Sequence, residues 1–216
     1  AGSGSVVIRN EAQQFARPTS VVDSNNIDSG SYADVDESVA NDADYVLTIA
    51  LNDVFPPVTS TAFIEFGLSP VDDPLSSTGH IARFRVKKTD LGGGALQARI
   101  IVKQGDTVIA TGAWTPSLSA TFTTYTLTLS DAEANAITNY ALLRHRVEFT
   151  LTVGTGPTMG LLSWDEFQIP GLPSATSQVT TEEAGGTSGG RNTSNLLDND
   201  VLMEGTFTVV DEGTGN

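Results

Sequence analysis

The chain contains no cysteine. That excludes a disulfide framework and any thiolate chemistry, so stability has to come from burial, backbone pairing or association. Histidine is almost as scarce: only His80 and His145 are available as bases near neutral pH. Neither stands at a spacing that builds a hydrolytic triad or a zinc site. No apolar run approaches the roughly 20 residues that cross a bilayer, and the opening AGSGSVVIRN lacks the basic-then-apolar order of a secretory signal. Positive charge is short as well, with 11 Lys and Arg against 26 Asp and Glu and a formal net charge of −15. Wrapping nucleic acid takes clustered cations against phosphate, so neither nucleic acid nor membrane is expected as a partner.

What the chain does have is Thr, Ser, Gly, Val and Asp in abundance, a composition of strands and turns. Residues 1–44 read as an arm, an early strand and an acidic loop. Residues 45–170 read as the core of a sandwich, and 171–216 as a Gly-, Ser- and Thr-rich acidic tail too poor in apolar residues to hold a core. In HIARFRVKK, Ala82, Phe84 and Val86 alternate with Arg83, Arg85 and Lys87, the period-2 pattern of a strand with one wet face. LQARIIVK follows after a glycine-rich turn, and the pair predicts an antiparallel hairpin. RHRVEFTLTV alternates the same way, with Val147, Phe149 and Leu151 inward. One short helix is expected after Ser130, which caps it while Glu133 completes a capping box. The sum is an all-β, jelly-roll-type antiparallel sandwich of about eight strands.

Three features bear on function. Arg83, Arg85 and Lys87 on one strand, Arg99 and Lys103 on the next, and Arg144 and Arg146 on a later one share the polar parity. That spacing predicts one positive sheet face, towards which the acidic arm or tail of another copy, or an acidic partner, is steered. The tail ends in VLMEGTFTVV, where Met203, Phe207 and Val209 fall on odd positions and read as a docking strand on an acidic tether. Asp34, Asp36, Glu37, Asp42, Asp44, Asp72 and Asp73 are loop oxygens of the type that binds calcium, without a complete calcium-loop motif. Otherwise no cofactor is expected and no catalytic residue stands out: Ser163 lacks the glycine of a nucleophile elbow, and Gly92, Gly93 and Gly94 lack the Lys and Ser/Thr of a phosphate loop.

In series, SYADVDESVANDADYV, HIARFRVKK, TYTLTLSDAEANAITNYALLRHRVEFT and LLSWDEFQIP resemble a group of small jelly-roll proteins encoded among the structural genes of tailed bacteriophages. The likeness spans roughly residues 31–170 and none of the tail. His145 departs from the pattern, standing between two arginines where an apolar residue belongs. The resemblance implies a non-enzymatic part of an extracellular virion, foremost a capsid decoration or cement protein. Its partners would then be the major capsid protein and further copies of itself. A tail, fibre or filament subunit is one alternative. A carbohydrate-binding jelly-roll module is another; it needs an exposed aromatic platform, and the few aromatic residues, many at inward parity, weigh against it.

Overall fold

Alternation of apolar and polar side chains is what builds the sheets. A computed structural model describes residues 12–51, 61–89, 95–152 and 157–172. It contains eleven strands: β1 (Gln14–Ala16), β2 (Pro18–Asn25), β3 (Ile27–Ser29), β4 (Val46–Thr48), β5 (Thr61–Leu68), β6 (Ile81–Lys88), β7 (Leu96–Gln104), β8 (Thr107–Thr111), β9 (Thr123–Thr128), β10 (Leu143–Leu151) and β11 (Gly160–Ile169). One short helix, α1, covers Asp131–Asn135.

The strands form two antiparallel sheets, β3-β4-β11-β6-β9 with β1 added beside β11, and β2-β5-β10-β7-β8. From β4 onward the chain crosses between sheets at nearly every connection. Strands 4, 11, 6 and 9 lie in one sheet and 5, 10, 7 and 8 in the other. That is the eight-strand jelly roll of two interleaved Greek keys. The stretch before residue 45 does more than the arm, single strand and loop expected of it, since β1, β2 and β3 extend both sheets. The expected hairpin of β6 with β7 does not form: β6 pairs with β11 and β9, and β7 with β10 and β8. Both strands have the period-2 pattern, but apart from the tight β7–β8 turn their neighbours lie across long connections, which local spacing does not encode.

The core lies between the sheets. Inward residues of β5 (Ala62, Ile64, Phe66), β6 (Ala82, Phe84, Val86), β7 (Leu96, Ala98, Ile100) and β10 (Val147, Phe149, Leu151) meet Leu162, Phe167 and Ile169 of β11. Full burial of a Phe or Leu is worth about 1.5–3 kcal/mol, so this layer carries most of the fold's stability. At Gly160 the sheets close on one another, and a Cβ built there lies 2.5 Å from Cδ1 of Phe149. α1 forms as its residues demand: Ser130 accepts from the Glu133 amide, and the Glu133 carboxylate accepts from the Ser130 amide at 2.7 Å. Those backbone and hydroxyl donors hold the Glu133 carboxyl below its ordinary pKa.

Unusually for a sandwich strand, β11 is buried along its entire length. The acidic loop covers its outer face. Trp164 donates its indole N–H to the Glu37 carbonyl at 2.8 Å, Ser163 donates to Asp42 at 3.0 Å, and the Asp165 amide donates to the Val35 carbonyl at 3.1 Å.

Candidate functional site

The seven basic residues expected to share a face lie on both. β6 carries Arg83, Arg85 and Lys87 in one sheet; β7 carries Arg99 and Lys103, and β10 carries Arg144 and Arg146, in the other. The parity was read correctly, but the assignment to a single face fails because β6 and β7 are not partners. Nor is either face simply positive. Arg83 hydrogen-bonds Gln168 and lies 3.7 Å from Glu166, which Arg17 also engages at 2.6 Å. Arg85 grips Asp42 with two 2.7 Å hydrogen bonds. That fork holds the Asp42 carboxyl below the usual carboxylate range, against the opposing effect of burial. Lys87 stands 4.4 Å from the centre of the Phe122 ring. An acidic residue does lie against Arg85, and it is Asp42 of the chain's own loop. The C-terminal docking strand with Met203, Phe207 and Val209 lies outside the described residues.

Two other loop carboxylates hold the loop's own backbone and side chains. Asp34 accepts from the Ser31 amide at 2.8 Å and Asp44 from Asn41 at 2.6 Å. Burial, together with nearby Asp36, Asp44 and Asp34, raises the Glu37 pKa against the pull of a backbone hydrogen bond. Among the described residues no three Asp, Glu or His side chains converge where one ion would sit.

On the outer face of the second sheet, register sets the chemistry. Glu148 lies opposite Phe63 of β5 on one side and Arg99 of β7 on the other. Arg146 lies opposite Glu65 and Ile101, and Arg144 opposite Gly67 and Lys103. Arg99 pairs with Glu148 at 2.7 Å. Glu65, almost wholly buried, takes Lys103 at 2.7 Å and Arg144 at 3.3 Å, and Arg144 reaches Asp106 at 3.0 Å. The face is therefore a lattice of four cations and three carboxylates. Sequence reading singled out the cations alone. Glu65 and Glu148 share their outward parity in TAFIEFGL and RHRVEFTLTV, and that signal was available.

Two aromatic rings stand on this face. Phe63 lies under the guanidinium of Arg146, 3.4 Å from ring centre to carbon. Trp114 lies 4.3 Å from the Arg99 guanidinium and is 36 % exposed. The segment after β8 positions it by running back along β7: the Gly112, Thr115 and Leu118 amides donate to the Ile100, Ala98 and Leu96 carbonyls at 2.7–2.8 Å. The Thr115 hydroxyl also accepts from the Ala98 amide at 3.0 Å. Trp114, Phe63, Arg99, Arg146, Glu148 and Asn25 wall a groove of about 280 Å³. That is near the lower end of small-molecule sites, roughly 300–1,000 Å³.

No family model and no curated protein matches the chain. Several solved structures overlap it loosely, among them the following three. The carbohydrate-binding module TmCBM61 in complex with β-1,4-galactotriose is 8 % identical over 58 % of this chain and 69 % of that one, with a TM-score of 0.33. The mannan-recognising module TmCBM27 is 6 % identical over 77 % and 99 %, with a TM-score of 0.37. The K3 cleaved adhesin domain of Lys-gingipain from Porphyromonas gingivalis is 13 % identical over 75 % and 98 %, with a TM-score of 0.32. Overlaps this loose assign no ligand, and the groove is read from its own residues.

Both histidines belong to the interior. His80 Nε2 and the Tyr140 hydroxyl are 2.8 Å apart, and His145 Nδ1 and Asp165 Oδ1 are 2.9 Å apart, with Phe167 against both imidazoles. Neither imidazole has any exposed surface.

Proposed function

We propose that this jelly roll is a non-catalytic module that binds carbohydrate in the groove walled by Trp114 and Phe63. The observation that carries the reading is the exposed Trp114 ring and the stacked Phe63–Arg146 pair beside fixed charged donors and acceptors on one sheet face. A sugar ring has an apolar face of C–H groups and a rim of hydroxyls. Such a molecule is held where an aromatic surface adjoins donors and acceptors that do not have to be ordered on binding. Here Arg99 and Glu148 are already locked to one another, and Asn25 adds an uncharged amide at the wall. The sparse aromatic content weighed against this reading in the sequence; one exposed ring beside a stacked guanidinium is enough for a groove of this size.

Titration of a panel of soluble polysaccharides by affinity electrophoresis and calorimetry tests it. Trp114→Ala is expected to weaken binding at least about tenfold, the ~1.4 kcal/mol carried by an aromatic contact and its buried area. Its unfolding midpoint is expected to fall modestly, since Trp114 is only partly exposed and stacks on Arg99, and the binding comparison is made well below that midpoint. Saturable binding unaffected by Trp114→Ala would place the site elsewhere.

A second reading, a virion structural part that grips neighbouring subunits, is supported by the motif series over residues 31–170. The same residues have work to do within the fold. The SWDE segment anchors the acidic loop to β11, and the SDAE segment caps α1. Saturable attachment of the purified protein to its own particle, unaffected by competing glycans, would favour this second reading.

A further inference from the structure

Resting on the carbohydrate reading, we propose that the ligand of the groove is an acidic sugar, with its carboxylate, as in a uronic acid, docked on Arg146. Of the four cations on this face, three make a hydrogen bond to a carboxylate. Glu148 accepts from Arg99 at 2.8 Å, Glu65 from Lys103 at 2.7 Å and from Arg144 at 3.3 Å. Arg146 differs. Its Nε lies 3.1 Å from Glu148 and its Nη1 lies 3.6 Å from Glu65, close enough for attraction. Yet Nε is buried without a hydrogen bond, because the Glu148 oxygen is out of line with the N–H. Both neighbouring carboxylates also hold another cation, Glu148 through its other oxygen with Arg99 and Glu65 with Lys103 and Arg144.

The guanidinium is nonetheless held still. The Phe63 ring lies 3.4 Å beneath it, and 24 % of the side chain reaches solvent. A planar fork fixed by stacking, whose terminal Nη1 has its carboxylate neighbour no nearer than 3.6 Å, is a preorganised receptor for a carboxylate. Local charge agrees. The groove is lined by two guanidiniums and one carboxylate, an excess of positive charge in a chain whose net charge is −15. An anionic ligand fills that imbalance. The carboxylate would sit on Arg146, with the sugar ring extending towards Trp114.

The test compares oligogalacturonate with a neutral galactose oligomer of equal length, by calorimetry on the full chain, at low and high NaCl. Expected is at least about tenfold tighter binding of the uronate, with the preference shrinking as salt rises. Arg146→Gln is expected to erase the preference for the uronate over the neutral oligomer, read as the ratio of the two affinities in the same variant, and Arg146→Lys to restore only part of it because the fork is lost. The preference of the parent protein and its salt dependence need no variant, so a poorly folding substitution leaves the test intact. Equal binding of the two oligomers overturns the acidic-sugar assignment while leaving carbohydrate binding in place. Binding of neither overturns both.

Discussion

His145 and Asp165 meet at 2.9 Å between the two sheets, with His145 Nε2 and Asp165 Oδ2 buried and unpartnered. A buried polar group is tolerated when paired, and removing its partner exposes the full cost of desolvation. His145 occupies an inward position between Arg144 and Arg146, where an apolar side chain was expected, and Asp165 explains it. His145→Leu and Asp165→Val are each expected to destabilise the fold by about 1–3 kcal/mol, and the double variant by clearly less than their sum. Urea unfolding of the four proteins checks this. Strictly additive losses would mean that the two groups do not depend on one another.

At the level of the strands, one contact between the two sheets depends on a missing side chain. The Phe149 ring of β10 lies where a Cβ on Gly160 of β11 would be, so the glycine is needed for proximity. Gly160→Ala is expected to cost about 1–3 kcal/mol through overpacking, and thermal unfolding measures it. Companion truncation of Phe149 to Leu should recover part of the loss. A Gly160→Ala protein as stable as the parent would show that the sheets slide apart freely. Gly30 belongs to a different class: its φ of +92° and the Val46 backbone 2.6 Å from a built Cβ both require glycine there.

For the whole molecule, acid is the condition that exposes the interior. Burial lowers the His80 pKa below its ordinary 6.5, with Asp73 opposing. The unfolded chain takes up a proton near 6.5 that the folded chain resists, so the unfolded state binds more protons below that pH. The contribution of neutral His80 is therefore complete above about 6.5 and is lost as pH falls towards the lowered folded value. Burial, reinforced by Asp73, likewise pushes the Tyr140 hydroxyl up to about 12, so the His80–Tyr140 contact stays neutral across the working range. Urea midpoints measured from pH 8 to pH 5 should fall on acidification. They should fall less in His80→Gln, and parallel curves for the two proteins would rule His80 out as the source.

Period-2 alternation in HIARFRVKK, LQARIIVK and RHRVEFTLTV determined which side chains face inward, because the pleat sends successive residues to opposite faces. The Ser130 and Glu133 pair determined α1, since a capping box is satisfied within four residues. Partnership was another matter. That β6 and β7 separate into different sheets, that Arg85 meets Asp42, that His145 meets Asp165, and that Trp114 comes to stand near Phe63 are contacts between residues distant in the chain. They were decided when the sheets assembled, by register across long connections that no local pattern specifies. The face of each side chain is a local property, whereas the groove exists only once two remote segments are laid along the same sheet.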